Sequence, residues 1–115
     1  MKDVLIIGAG IVGTAIARRL SRYKLSVAVV EKEADVSTGA TKANSAIVHG
    51  GYAEAHEKTK GRLCYKGRIQ FEQLDRELNF GFRKTGSLVM TTDPEDLPKL
   101  QSLLENGIKN GLDDL

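Results

Sequence analysis

The sequence lacks a second cysteine, since Cys64 stands alone among 115 residues. A lone cysteine excludes a disulfide framework and a cluster of thiolate metal ligands, so we expect no metal site and a small apolar role for Cys64 on a helix. Long apolar runs are also missing: Val4–Ile7 is too short to cross a bilayer and has no cleavage region after it. We therefore expect a cytoplasmic protein, with peripheral attachment of the full-length protein to a membrane as the other possibility.

An excess of one charge is lacking as well. The 17 basic residues are nearly balanced by 15 acidic ones, which gives a net charge of +2. No basic run is interleaved with aromatic residues, so the sequence disfavours a nucleic-acid partner. At 41% hydrophobic and 28% charged residues, the composition is that of an ordinary globular protein.

The first thirty residues have the pattern of a strand, a helix and a second strand. Val4–Ile7 and Val27–Val30 are continuous apolar runs, as expected for parallel strands that are covered on both faces. Between them, apolar residues recur at helical spacing from Ile11 to about Tyr23. This order predicts a βαβ unit and hence an α/β protein with a Rossmann-like dinucleotide-binding fold.

The rest of the chain predicts one long helix, one strand and a further helix. Apolar residues lie on one stripe from Lys58 to Leu78, Gly86–Met90 has the composition of a strand, and Thr92–Glu95 is a helix start with a polar cap and a proline. A doubly wound dinucleotide domain needs about five or six strands, and only three or four can be found. We therefore expect an incomplete fold.

A glycine-rich turn joins the first strand to the first helix. Gly8, Gly10 and Gly13 match the G-x-G-x-x-G pattern in the strand-to-helix context that gives this pattern its meaning. The glycines permit a tight turn, close approach of a pyrophosphate and close packing of helix on strand. Glu31 ends the second strand, where an acidic residue accepts a hydrogen bond from an adenosine ribose hydroxyl and would repel the 2′-phosphate of NADP.

The segment after the second strand resembles the N-terminal region of FAD-dependent oxidoreductases of the D-amino-acid oxidase group. The likeness is greatest to their glycerol-3-phosphate dehydrogenase branch, and L-2-hydroxyglutarate oxidases are similar over the same positions. The residues that carry it are the glycine turn, Glu31-Lys32, Thr38–Thr41, Asn44-Ser45 and Ile47–His49. The resemblance implies that residues 1–80 are the first segment of a FAD-binding domain and that residues 81–115 begin a truncated α+β substrate domain.

FAD is longer than adenosine diphosphate, so a second stretch of backbone must run beside its pyrophosphate. Small residues from Gly39 to Ala46 permit that approach, and Thr41, Asn44 and Ser45 offer hydroxyl, amide and backbone donors. A plain Asx-turn loop is the alternative for Thr41 and Asn44. The cofactor-binding residues expected from turn and resemblance together are Gly8, Gly10, Ile11, Val12, Gly13, Glu31, Lys32, Thr38, Gly39, Thr41, Asn44 and Ser45.

His49 is the candidate catalytic residue. It could steer charge near the flavin ring or help to take a proton from a substrate hydroxyl, and the alternative is a neutral, hydrogen-bonded ring. We expect His56 to be solvated. Arg62, Arg68 and Arg83 could bind an anionic substrate, with exposed helix and strand charges as the alternative.

The resemblance implies a dehydrogenase that oxidises a secondary alcohol, glycerol 3-phosphate to glycerone phosphate, by hydride transfer to FAD. Its partners would be this small substrate and an electron acceptor, namely a quinone, an electron-transfer protein or oxygen. The fragment alone is expected to bind FAD weakly, to be inactive and to self-associate through exposed sheet edges. The alternatives are a FAD-dependent L-2-hydroxyglutarate or amino acid oxidase, an NAD-dependent enzyme and a non-catalytic dinucleotide-binding module.

Overall fold

The structure, a computed structural model, describes every residue from Met1 to Leu115. Its contacts divide the chain into two compact units, which are Met1–Ile47 (the N-terminal unit) and Val48–Leu115 (the C-terminal unit). The domain boundary expected between residues 80 and 81 concerns the complete fold and stays a prediction. In chain order the elements are β1 (Val4–Ile7), α1 (Ile11–Leu20), β2 (Val27–Val30), α2 (Thr59–Arg68), α3 (Phe71–Leu78), a short 3-10 helix (Pro94–Asp96) and α4 (Leu97–Lys109).

The N-terminal unit contains the predicted βαβ arrangement. Strands β1 and β2 are parallel, in a register that pairs Val4 with Val27 and Ile7 with Val30. The ladder continues one residue further, because the Gly8 N–H donates to the Val30 carbonyl at 2.7 Å. The glycine turn therefore leaves the sheet directly beside the end of β2.

Helix α1 covers one face of this two-stranded sheet, and the other face is uncovered. Ile6 is buried, whereas Leu5 is 58% exposed and Ile7 is 85% exposed. The prediction that both strands are covered on both faces is therefore wrong for this chain. The reason is geometric, since one helix can pack against only one side of a sheet.

The C-terminal unit corrects the prediction of one helix from Lys58 to Leu78. The structure has two helices there. The Gln70 N–H donates to the Gly67 carbonyl, and the Gln70 side-chain amide donates to the Lys66 carbonyl at 2.9 Å. A side chain thus replaces a backbone hydrogen bond next to a glycine, where helix preference is weak. Cys64 lies on α2 and is half-buried, as expected, and burial raises the pKa of its thiol.

The predicted strand Gly86–Met90 is absent, because this segment has no partner strand and its Leu88 and Met90 side chains are exposed. A strand exists only through hydrogen bonds to a neighbour, which a local pattern cannot supply. The predicted helix start is confirmed: the Asp93 carboxylate accepts from the Glu95 N–H at 2.9 Å, and Pro94 follows the cap. No helix is long and apolar enough to span a membrane.

The close approach of α1 to β1 yields a stability test. A methyl group on Gly13 would overlap the carbonyl oxygen of Gly8 and lie 3.4 Å from Ile6 Cγ2. We expect Gly13→Ala to lower the free energy of unfolding by about 1–3 kcal/mol, although alanine is the better helix former. Urea unfolding followed by circular dichroism measures this change.

Gly39→Ala is the matched control, because a methyl group on Gly39 meets no atom within 4 Å. Equal stability of the Gly13→Ala chain and the wild-type chain would contradict the close packing of α1 on β1.

Candidate functional site

The glycine turn presents unpaired amide groups at the start of α1. Gly8 has a φ of 100°, which glycine adopts without strain, and Gly10 precedes the helix in an extended conformation. The N–H groups of Val12 and Gly13 have no acceptor in the protein, as is usual in the first turn of a helix. Together with the helix dipole, these amides form a site that suits an anion such as a phosphate.

A second stretch of backbone lies against this turn. The Thr41 hydroxyl accepts a hydrogen bond from the Ile11 N–H at 2.9 Å, and the Ser37 N–H donates to the Ala9 carbonyl at 3.1 Å. A methyl group on Gly10 would lie only 3.0 Å from the Thr41 hydroxyl oxygen, so a side chain at position 10 would press on this contact. The two segments expected to flank a pyrophosphate are thus adjacent at Thr41.

Asn44 and Ser45 take no part in this contact. The side-chain Oδ1 of Asn44 accepts from the Ala46 N–H at 2.7 Å, and its side-chain amide group donates to the Thr41 carbonyl. Asn44 therefore forms the local Asx turn that was the alternative interpretation. Ser45 is exposed at the surface of the same loop.

Glu31 holds the end of β2 to the glycine turn. One of its carboxylate oxygens accepts from the Ala9 N–H at 2.7 Å, and the other accepts from the Lys32 and Glu33 N–H groups at 2.8 and 3.1 Å. These bonds, the one from Ala9 foremost, lower the pKa of Glu31 below its ordinary value. A carboxylate has about four lone-pair positions, so an ionised Glu31 keeps room to accept one ligand hydroxyl.

Gly8 and Gly10 of the glycine turn, together with Glu31 and Thr41, border a cleft of about 690 Å³ in the N-terminal unit. Seven of the twelve expected cofactor-binding residues line it, and Ile11, Val12, Gly13, Asn44 and Ser45 do not. Sequence reasoning missed Ser37, which also lines this cleft. Its backbone adopts a left-handed conformation with a φ of 61°, which no sequence signal could have indicated. The lining residues are Ile7, Gly8, Gly10, Val30, Glu31, Lys32, Glu33, Ser37, Thr38, Gly39, Ala40 and Thr41.

His49 belongs to the C-terminal unit. Its Nδ1 accepts a hydrogen bond from the Gly51 N–H at 3.0 Å, and its Nε2 lies 3.7 Å from a carboxylate oxygen of Glu54. The bond to Nδ1 places the proton of the neutral ring on Nε2. The Lys60 ammonium, 2.5 Å from the same oxygen, is the foremost cause that lowers the pKa of Glu54.

Two expectations about charged residues need correction. His56 is not solvated, because its Nδ1 lies 3.0 Å from the side-chain oxygen of Asn110 and its ring is half-buried. Arg68 is not an exposed charge: its side chain is 23% exposed, it pairs with Asp114 at 2.7 Å, and it stacks over Tyr65 at 4.9 Å. In both cases the partner lies about fifty residues away in the sequence.

The other two arginines are exposed. Arg62 lies on α2 near the Thr59 hydroxyl at 3.4 Å, and Arg83 lies in the irregular segment after α3. Neither lies in a described cleft.

Comparison with known proteins gives consistent matches over nearly the whole chain. The family model described as FAD dependent oxidoreductase matches residues 3–114. A glycerol 3-phosphate dehydrogenase from Caloramator mitchellensis is 50% identical over 115 residues, which are 100% of this chain and 24% of that protein. The mitochondrial L-2-hydroxyglutarate dehydrogenase of Homo sapiens is 35% identical over 96% of this chain and 24% of its own length.

A solved structure has the same fold. It is the dithionite-reduced L-alpha-glycerophosphate oxidase from Mycoplasma pneumoniae with FAD bound. Its TM-score is 0.84 at 30% sequence identity, over 98% of this chain and 30% of that one. The chain spans about a quarter of the length of the glycerol 3-phosphate dehydrogenase and of the L-2-hydroxyglutarate dehydrogenase named above.

The bonds made by Glu31 predict a dependence of stability on pH. Because its pKa is lower in the folded chain, Glu31 stabilises the fold above its ordinary pKa of 4.5, and this contribution is lost as the pH falls through the folded value. We expect the difference in unfolding free energy between wild type and Glu31→Gln to be largest near neutral pH and to shrink below pH 4.5. Urea titrations at several pH values measure it.

Glu33→Gln removes the same charge from the same loop but no side-chain bond to a backbone amide, so it serves as control. A wild-type minus Glu31→Gln difference that is constant with pH would show that the three amide bonds do not hold an ionised carboxylate.

Proposed function

The chain belongs to the family of FAD dependent oxidoreductases, and on that premise we propose that it is the N-terminal part of a flavoenzyme that oxidises a secondary alcohol. The observation that carries the proposal is the contact of two backbone segments at one cleft, made by the Ile11 N–H and the Thr41 hydroxyl. A ligand with a long diphosphate arm needs such a pair of segments. FAD is the cofactor that the family name and the FAD-bound neighbour both indicate.

The residues of the cleft fit this cofactor. Gly10 and Thr41 line the cleft, and the unpaired amides of Val12 and Gly13 follow Gly10 in the first turn of α1, where they suit the pyrophosphate. The ionised Glu31 suits an adenosine ribose hydroxyl and would repel a 2′-phosphate, which FAD does not have. When bound, FAD supplies the acceptor for the two electrons and the hydride that leave the substrate carbon.

The proposed substrate is glycerol 3-phosphate, and the product is glycerone phosphate. This choice is supported by the 50% identity to a protein named glycerol 3-phosphate dehydrogenase and by the fold shared with a glycerophosphate oxidase. L-2-hydroxyglutarate is the second candidate, because dehydrogenases named for it are 35% identical over nearly the whole chain. Both compounds carry a secondary alcohol and an anionic group.

We assign His49 to the substrate hydroxyl. The Gly51 N–H occupies the lone pair of Nδ1, so the neutral ring presents its Nε2–H. This N–H would donate to the substrate hydroxyl oxygen and so orient the alcohol. The Glu54 carboxylate, 3.7 Å from Nε2, would stabilise positive charge on the ring.

The remaining features of the proposal concern the whole enzyme. Electrons pass on to a quinone, an electron-transfer protein or oxygen, and the enzyme works in the cytoplasm or at the membrane periphery. This chain alone binds FAD weakly and does not turn over. The uncovered sheet face, with Leu5 and Ile7 exposed, supports self-association of the isolated chain.

Anaerobic reduction of the purified full-length flavoenzyme tests the function. We expect a visible flavin spectrum that is bleached by glycerol 3-phosphate and is unchanged by L-2-hydroxyglutarate at the same concentration. Bleaching by L-2-hydroxyglutarate alone would favour the second candidate. A purified protein without flavin absorbance would overturn the proposal.

A further inference from the structure

The loop of residues 51–56, which we call the clamp loop, has no helix or strand but is held by Asn106 of α4 and by Asn110, which caps the C-terminus of α4. Asn106 and Asn110 lie one helical turn apart, and together they make six hydrogen bonds to the clamp loop. Asn106 donates to the carbonyls of Tyr52 and Glu54 at 2.6 and 2.8 Å. Asn110 donates to the carbonyls of Gly51 and Glu54 at 2.8 and 2.7 Å.

The side-chain oxygens of both asparagines bind His56 at the end of the loop. The Asn106 oxygen accepts from the His56 N–H at 3.3 Å, and the Asn110 oxygen lies 3.0 Å from His56 Nδ1. Asn110 is only 8% exposed, and no buried side-chain polar atom of the chain is left without a partner. Satisfied buried polar groups of this kind define one arrangement of a loop.

Glycines permit close packing on both sides of the clamp loop. A methyl group on Gly61 of α2 would overlap the carbonyl oxygen of Ala55. A methyl group on Gly107 of α4 would lie 3.2 Å from Tyr52 Cβ. The loop is therefore packed between two helices and also bonded to one of them.

This loop carries the two groups that lie at the nitrogens of the His49 ring. The Gly51 N–H donates to Nδ1, and the Glu54 carboxylate lies beside Nε2. The carbonyls of the same two residues, Gly51 and Glu54, accept from Asn110. Asn110 thus holds the backbone of Gly51 and Glu54, the two residues that lie at the nitrogens of the His49 ring.

We infer that Asn106 and Asn110 are positioning residues that set the orientation of His49 through the clamp loop. The inference rests on the proposed function in so far as His49 acts on the substrate, whereas the structural link does not depend on any ligand. Both asparagines belong to the C-terminal unit, whereas the residues that line the cleft belong to the N-terminal unit. Their loss should therefore affect the reaction step and spare the FAD content.

The test uses Asn110→Asp, which keeps the shape of the side chain but replaces the donor to two carbonyls by an oxygen that repels them. We expect the rate of flavin reduction by glycerol 3-phosphate in the full-length flavoenzyme to fall about 10- to 100-fold, with unchanged flavin content. Asn79→Asp is the matched control, because Asn79 ends α3 with a φ of 52° that aspartate also tolerates. We expect the control to keep the wild-type rate.

A double-mutant cycle separates positioning from general damage to the fold. If Asn110 acts through His49, Asn110→Asp should cost nothing further in the His49→Asn background. Effects that multiply in the double variant would overturn the inference. Asn106→Asp provides a second cycle if Asn110→Asp does not fold.

A measurement on the 115-residue chain itself is independent of flavin and activity. The chain has only two histidines, so its ring resonances are assigned by their loss in His49→Asn. We expect Asn106→Asp and Asn110→Asp each to shift the resonances of His56, which both asparagines contact directly, and also those of His49. Asn79→Asp should shift the resonances of neither histidine. In the wild-type chain the side-chain amides of Asn106 and Asn110 should exchange slowly with solvent.

Unmoved His49 resonances or fast exchange of these amides would overturn the inference whatever the enzyme assay gives. A full-length enzyme without flavin or without reduction, but with the expected resonance shifts, would instead count against the proposed function alone.

Discussion

The hydrogen bond from the Ile11 N–H to the Thr41 hydroxyl joins two stretches of backbone that are 30 residues apart in the sequence. One stretch is the glycine turn at the start of α1, and the other is the loop that follows β2. Each is common on its own, since many loops contain small polar residues and many helices begin after glycine. Only their contact makes a cleft that is bordered by the glycine turn on one side and by hydroxyl groups on the other. The assignment of a flavin nucleotide to this cleft depends on that contact.

The parts of the structure that local physics determines could be predicted from the sequence. Apolar runs gave both strands of the βαβ unit, the glycine spacing gave the turn, and Asp93 with Pro94 gave the start of the helical segment that contains α4. Glu31 was also predicted at the end of β2, because the distance from the glycine turn is a consequence of helix and strand lengths. In each case the signal lies within about twenty residues of the feature.

The features that could not be predicted depend on a distant partner or on one side-chain bond. From the sequence alone, Arg68 is expected to be an exposed charge and His56 a solvated ring. The structure pairs Arg68 with Asp114 and His56 with Asn110. Gly86–Met90 has the composition of a strand but lacks a neighbouring backbone. The amide of Gln70 interrupts a helix that an apolar stripe alone would continue. Local composition carries no information about any of these contacts.

Thr41→Val tests the central claim most directly, because it replaces the hydroxyl by a methyl group of the same shape and leaves the Ile11 N–H without its acceptor. Titration of the full-length apoprotein with FAD, followed by flavin fluorescence, gives the dissociation constant. We expect it to rise about two- to tenfold, as the loss of one hydrogen bond of about 0.5–1.5 kcal/mol implies. Thr92→Val in an exposed loop should leave it unchanged. An unchanged dissociation constant for Thr41→Val would contradict the claim that the two segments form one cofactor site.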